Sequence, residues 1–217
     1  MKRGIKILIL SLILISLQLH FASAEIIFNQ QPKEIYSLGD VVPVLATVKS
    51  SNDVTGVLQM DVLCEGHFVN FYKNGVSLTA GEEKKFESSL VLTKVVIGEL
   101  KGICKIKATL KDDFALTNGF KISDLITLNT DFEKIEFNPG ENLVFTGSAL
   151  KENGQNVNGY IELNLEEGNS SRLAQLETIN NGFFSINATL PKDMKAGAYL
   201  LNLNAYEEDA QGQKTNL

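Results

Sequence analysis

Few side chains in this sequence carry reactive chemistry. Cys64 and Cys104 lie forty residues apart, and neither belongs to a C-x-x-C pair. In a chain that reaches an oxidising compartment, two such cysteines are expected to pair as a disulfide; in a reducing one they would be two buried thiols. Asn169-Ser170-Ser171 and Asn187-Ala188-Thr189 are N-glycosylation sequons. The first falls in a Gly-Asn-Ser-Ser turn and the second on the outward register of a strand, so Asn169 and Asn187 are the expected glycan acceptors. His20 lies among the first 24 residues, which leaves His67 as the one histidine of the remainder. A Ser–His–Asp set or a zinc centre needs more than that. His67 follows Cys64-Glu65-Gly66 and is expected in a loop. Acid clusters at Glu82-Glu83, Asp112-Asp113, Glu166-Glu167 and Glu207-Glu208-Asp209 sit at expected turns. They lack the D-x-D-x-D-G spacing of a calcium loop. There is no glycine-rich phosphate loop. The expectation is no catalytic residue, no metal, no cofactor and no small-molecule substrate. Tyr206, on the outward register of its strand, and Phe71 and Tyr72, near a loop, could stack on a sugar ring or pack on a neighbouring domain.

The elements that would position these residues begin with a targeting signal. Lys2, Arg3 and Lys6 precede an apolar run from Ile7 to Leu19, which ends at Ala22-Ser23-Ala24. A charged start, a short apolar stretch and an A-x-A site make residues 1–24 an N-terminal secretory signal peptide. The run is shorter than the roughly 20 residues that cross a bilayer. Its removal takes three of the 20 basic side chains and none of the 26 acids, leaving a net charge of about −9. Arg172 is then the one arginine. Such an acidic surface argues against nucleic acid and anionic lipid as partners.

From Glu25 onward apolar residues take alternate positions, the period of a strand buried on one face. Val42, Val44, Ala46 and Val48 form one such run, and Leu58, Met60, Val62 and Cys64 another. Phe86, Ser88, Leu90 and Leu92 make a third, and Cys104, Ile106, Ala108 and Leu110 a fourth. Ile161, Leu163 and Leu165 continue the pattern, as do Phe184, Ile186, Ala188 and Leu190, and Tyr199, Leu201, Leu203 and Ala205. Turn signals separate the later runs: Asn153-Gly154, Asn158-Gly159, Asn181-Gly182 and Gln211-Gly212. Residues 171–176 read equally as a short helix or a strand. The spacing predicts an all-β chain. Gly39-Asp40 and Gly140-Glu141 precede similar strands about a hundred residues apart, which suggests two copies of one module. Two tandem antiparallel β-sandwiches are expected, over 25–124 and 125–217.

Four segments of the second half carry a family resemblance: FNPGENLVFTGSA (137–149), NGQNVNGYIELNL (153–165), NNGFFSINATLP (180–191) and AGAYLLNLNAY (196–206). Together they resemble the immunoglobulin-like domains of bacterial and archaeal surface proteins. They are also similar to macroglobulin-type domains. The resemblance covers 125–217 well and 25–124 loosely. It implies immunoglobulin-like sandwiches, in which Tyr199 would play the part of a tyrosine corner. The chain has no Trp, so the Cys–Trp–Cys core of antibody domains is missing, and no thioester segment of the macroglobulin kind occurs.

After the strand at 199–206, residues 207–212 turn and 213–217 begin a return, so the second sandwich is expected to be truncated in its last strand and the chain to be part of a longer surface protein. The function expected is a non-catalytic exported spacer, adhesion or assembly module at the cell surface or outside the cell. Its partners would be a protein or a cell-surface glycan, with membrane attachment only through a C-terminal anchor beyond this sequence. Two alternatives are a carbohydrate- or protein-binding accessory region of a larger extracellular enzyme, and a macroglobulin-like inhibitor fragment.

Overall fold

A computed structural model describes residues 24–168, 170–209 and 212–215. The expected all-β fold is what these residues form: fifteen strands in open sheets and one short helix. Residues 1–23 of the expected signal peptide lie outside the described residues.

Two sheets face each other in the first half. One has the order β1-β3-β6, from β1 (Ala24–Phe28), β3 (Val41–Ser50) and β6 (Glu83–Val91). The other runs β2-β9-β7-β4-β5, from β2 (Ile35–Ser37), β9 (Phe120–Ser123), β7 (Gly102–Leu110), β4 (Val54–Cys64) and β5 (His67–Leu78). A short strand, β8 (Asp113–Leu116), folds back on β7, and the helix α1 (Lys94–Ile97) links β6 to β7. All pairings here are antiparallel except β2 with β9, which is parallel.

In the second half, β10 (Ile126–Phe132), β11 (Asn142–Lys151) and β14 (Phe183–Thr189) form one antiparallel sheet. The opposing sheet has β12 (Gly159–Glu167) between β13 (Ser170–Ile179) and β15 (Leu200–Tyr206). The ambiguous stretch at 171–176 is therefore strand.

Each pair of sheets closes on its own apolar cluster, one drawn from residues 24–122 and the other from 143–205. The alternating residues are the ones buried: Val42, Ala46, Val48, Leu58, Met60 and Val62 in the first cluster, and Ile161, Leu163, Phe184 and Ile186 in the second. Each large aliphatic side chain removed from water in this way contributes roughly 1.5–3 kcal/mol before chain entropy is set against it.

One turn is built the same way in both halves. Gly39 and Gly140 sit at φ 91° and 80°, a backbone region that side chains with a Cβ rarely enter. Beside each is an acid that holds the turn closed. Asp40 accepts from the Ser37 amide at 2.9 Å, and Glu141 accepts from the Asn138 amide at 2.8 Å. The carbonyls of the same two acids accept from Leu92 and Leu190, so each turn is tied to the end of the neighbouring strand.

Candidate functional site

Cys64 and Cys104 stand directly opposite each other on β4 and β7, with Cα atoms 4.2 Å apart, and are joined by a disulfide. Both are buried. The bond therefore fastens two neighbours of one sheet. His67 is opposite Cys64 on the other side, at the first position of β5. Here the expectation of a loop is corrected: Glu65 and Gly66 are both at positive φ and make a two-residue hairpin turn, so the strand restarts at once. His67 is exposed. Phe71 and Tyr72, expected near a loop, lie within β5, and both are half-buried against the first core.

Tyr206 is the larger correction. Its strand register does point it outward, yet it is only 4% exposed. The ring of Tyr160 lies 5.6 Å from it on the adjacent strand, and the Lys214 ammonium sits 3.8 Å from its centroid. Lys214 is held there by Glu162 at 2.7 Å. The lysine keeps the Glu162 carboxyl below its ordinary pKa; Glu162 in turn raises that of Lys214, and burial raises that of the Tyr206 phenol. Tyr206 is thus closed to a sugar ring. The Tyr199 hydroxyl donates to the Lys195 carbonyl at 2.9 Å.

The acid clusters are occupied in structural roles. Glu82 accepts from the Thr79 amide and hydroxyl, which lowers its carboxyl pKa. Asp113 accepts from the Ala24 amide at 2.8 Å. Glu207 is paired with Lys151 at 2.8 Å and accepts from the Asn158 amide, in a nearly buried position. Among the described residues, no group of three or more His, Cys, Asp or Glu could hold a metal ion, and no helix is long and apolar enough to cross a membrane.

The densest polar arrangement that sequence reasoning missed lies where the two sandwiches meet. Only Asp124 and Leu125 separate β9 from β10. Glu152, in the turn after β11, reaches back to β9. It accepts from Lys121 Nζ at 2.6 Å and from the Ser123 hydroxyl, and its amide donates to the Leu125 carbonyl at 3.2 Å. Lys121 first and Ser123 second lower the Glu152 pKa. Next to it, Asn153 Nδ2 donates to Asp40 Oδ2. Asp124 pairs with Lys101 at 2.8 Å, and that contact lowers its pKa. A recess of about 170 Å³, lined by Lys33, Tyr36, Asp40, Asn153 and Gln155 among others, lies at this junction.

Two outer faces are open. Asn187 is exposed on β14, with Thr189 two positions on, while Asn169 lies outside the described residues. On the β7-β4-β5 face, Phe68, Ile103, Phe114 and Leu116 are exposed, and Lys107 Nζ lies 5.0 Å from the Phe114 ring centroid. These residues hold the outward alternate positions of their strands, which is the signal by which the sequence could have marked them.

No family model matches the sequence, nor does any curated protein. Among solved structures, the chain is similar to a β-glucosidase from Listeria innocua, at 18% identity over 47% of this chain and 16% of that one, with a TM-score of 0.38. A GH3 β-glucosidase from Bifidobacterium adolescentis matches at 17% identity, over 47% of this chain and 17% of that one, with a TM-score of 0.34. An α2-macroglobulin from E. coli matches 90% of this chain and 14% of its own length, at 15% identity and a TM-score of 0.32. The chain thus spans about a sixth of these proteins. Likenesses this distant carry no argument about activity.

Proposed function

We propose that the protein is a non-catalytic, exported surface module in which two immunoglobulin-like sandwiches form a spacer that presents binding faces for assembly or adhesion. The supporting sequence features are the signal-like residues 1–24 and the acidic, arginine-poor remainder. The observation that carries the reading is the junction. A two-residue link is clamped by Glu152 onto Lys121 and Ser123, and by Asn153 onto Asp40. Domains that work independently need no such clamp; a spacer needs a fixed angle between its parts. The test is protease treatment of intact cells producing the chain, together with fractionation. The expected result is a chain found outside the cell or digested at its surface; accumulation of the full chain in the cytosol overturns the reading.

A second reading, a binding region accessory to a larger extracellular enzyme, draws on the exposed Phe68, Ile103, Phe114 and Leu116. An apolar patch of this kind, interleaved with lysines, fits a protein or glycan partner. Retention of the chain on an insoluble polysaccharide, abolished by Phe68→Ala with Phe114→Ala, would favour it over the first.

A further inference from the structure

Five Asn-Gly pairs occur in the chain, at 74–75, 118–119, 153–154, 158–159 and 181–182. In such a pair the glycine nitrogen can attack the asparagine Cγ, because glycine has no Cβ to shield that nitrogen or to restrict the backbone. The fold closes three of the five. Asn74-Gly75 lies inside β5 and Gly159 opens β12, where paired strands hold the backbone extended. Gly182 is buried, and its amide donates to the Val157 carbonyl at 2.8 Å. Asn118-Gly119 and Asn153-Gly154 remain, both outside strands, with Gly119 and Gly154 exposed.

Asn153 differs from Asn118 in two respects. Its Oδ1 accepts from the Gln155 amide at 3.0 Å, a turn that folds the side chain back over the Gly154 peptide. Cγ is thereby brought toward the Gly154 nitrogen, and the Gln155 N–H already points at the oxygen on which negative charge develops during attack. Gly154 stands at φ 81°, and no atom lies within 4 Å of where its Cβ would be. The 2.9 Å bond from the Gly154 amide to the Lys151 carbonyl must open first, a low-energy event in an exposed turn. The second respect is what the reaction removes. The amide that leaves is the one that clamps the sandwiches, with Asn153 Nδ2 at 2.8 Å from Asp40 Oδ2. Asn118, by contrast, donates through its backbone amide to Gln31, within the first sandwich.

We propose that Asn153-Gly154 is a self-modifying site whose reaction releases the junction. The Gly154 nitrogen bonds to Asn153 Cγ and gives up its proton; the Cγ–Nδ2 bond breaks, and ammonia leaves with that proton. Water then opens the cyclic imide. Aspartate results when the Gly154 nitrogen parts from Cγ, and isoaspartate when it parts from the main-chain carbonyl carbon. Aspartate puts a carboxylate where the donor stood, facing the Asp40 carboxylate across the span of the present hydrogen bond, and like charges that close repel. Isoaspartate also removes the donor, and it adds a methylene to the backbone of the turn that carries Glu152. The proposal rests on the reading of the junction as the fixed element of a spacer, and gives that element a one-way change from rigid to hinged.

The experiment holds the full chain in mildly alkaline buffer and follows it over days by peptide mapping and small-angle scattering. Asn153 is expected to convert to a mixture of aspartate and isoaspartate, and the scattering profile to broaden in proportion to the converted fraction. Gly154→Ala should convert about tenfold or more slowly, since ring closure depends on how the attacking nitrogen is placed. Asn153→Asp should be broad from the outset. Asn118→Asp, which makes the same charge change away from the junction, should not. Three results overturn the proposal: an Asn153 that stays unconverted, conversion at Asn153 with an unchanged profile, or an Asn153→Asp chain as narrow as fresh wild type. A fresh, unconverted chain that is already broad overturns the clamp itself and the spacer reading with it; the other three leave that reading standing.

Discussion

Asn153 Nδ2 donates a 2.8 Å hydrogen bond to Asp40 Oδ2, joining residues 113 positions apart in the chain. The same oxygen accepts from the Ser37 amide, so one carboxylate closes a turn of the first sandwich and anchors the second. The two roles can be separated. Asn153→Ala removes only the anchor and is expected to widen the range of angles between the sandwiches in small-angle scattering. It should leave the unfolding of the first sandwich unchanged within about 0.5 kcal/mol. Asp40→Ala removes the turn closure as well and is expected to destabilise the first sandwich by about 1–2 kcal/mol in denaturant unfolding.

The second junction contact makes that coupling depend on acid. Lys121 and Ser123 hold the Glu152 carboxyl below the ordinary glutamate value of about 4.3. A group lowered in the folded state contributes fully above its unfolded value and loses that contribution as the pH falls through its lower, folded one. Scattering profiles should therefore be constant from pH 7 to pH 5 and broaden only below about pH 4. The Glu152→Gln variant should show the broad profile at neutral pH, with no further acid limb of its own.

Removing the disulfide by Cys64→Ala with Cys104→Ala opens a 40-residue loop, which in the chain-entropy account costs about 4 kcal/mol. Calorimetry should show the transition of the first sandwich moving down and that of the second staying in place. Movement of both by the same amount would mean that the two unfold as one unit.

Gly159 lies where β12 passes β15. A Cβ at this position would come within 2.1 Å of the Tyr206 carbonyl oxygen, and backbone cannot step aside as a flexible side chain can. Gly159→Ala is expected to destabilise the second sandwich by about 3 kcal/mol, read from its denaturation midpoint.

Asn187 is exposed and its sequon is intact. Secretion from a host with N-glycosylation machinery should add one glycan mass that Asn187→Gln removes. An unmodified tryptic peptide from such a host would exclude this site.

Strand positions and buried faces were legible because alternation is a local signal: Val42, Val44, Ala46 and Val48 reveal their face without any knowledge of what covers it. The errors arise where a distant or unusual element intervenes. Register places Tyr206 on the outer side correctly, but nothing near it in sequence shows that Lys214 folds across the ring. His67 reads as a loop residue because Glu is unusual at the first, left-handed position of a two-residue hairpin turn, and a register shift at Met60–Asp61 breaks the alternation around Phe71 and Tyr72 on the paired strand. The junction was invisible for a different reason. Asp40, Lys121, Ser123, Glu152 and Asn153 are ordinary surface residues until the fold brings the two turns and β9 together.

The parallel alignment of β2 with β9 has a consequence for tension. β2 lies near the start of the first sandwich and β9 at its exit into β10. Pulling the two ends apart slides these strands lengthwise, so their hydrogen bonds are loaded together rather than peeled one after another. Ile35–Ser37 and Lys121–Ser123 thus form a shear-resistant latch, and a molecule pulled from its two ends would yield first at some other pairing.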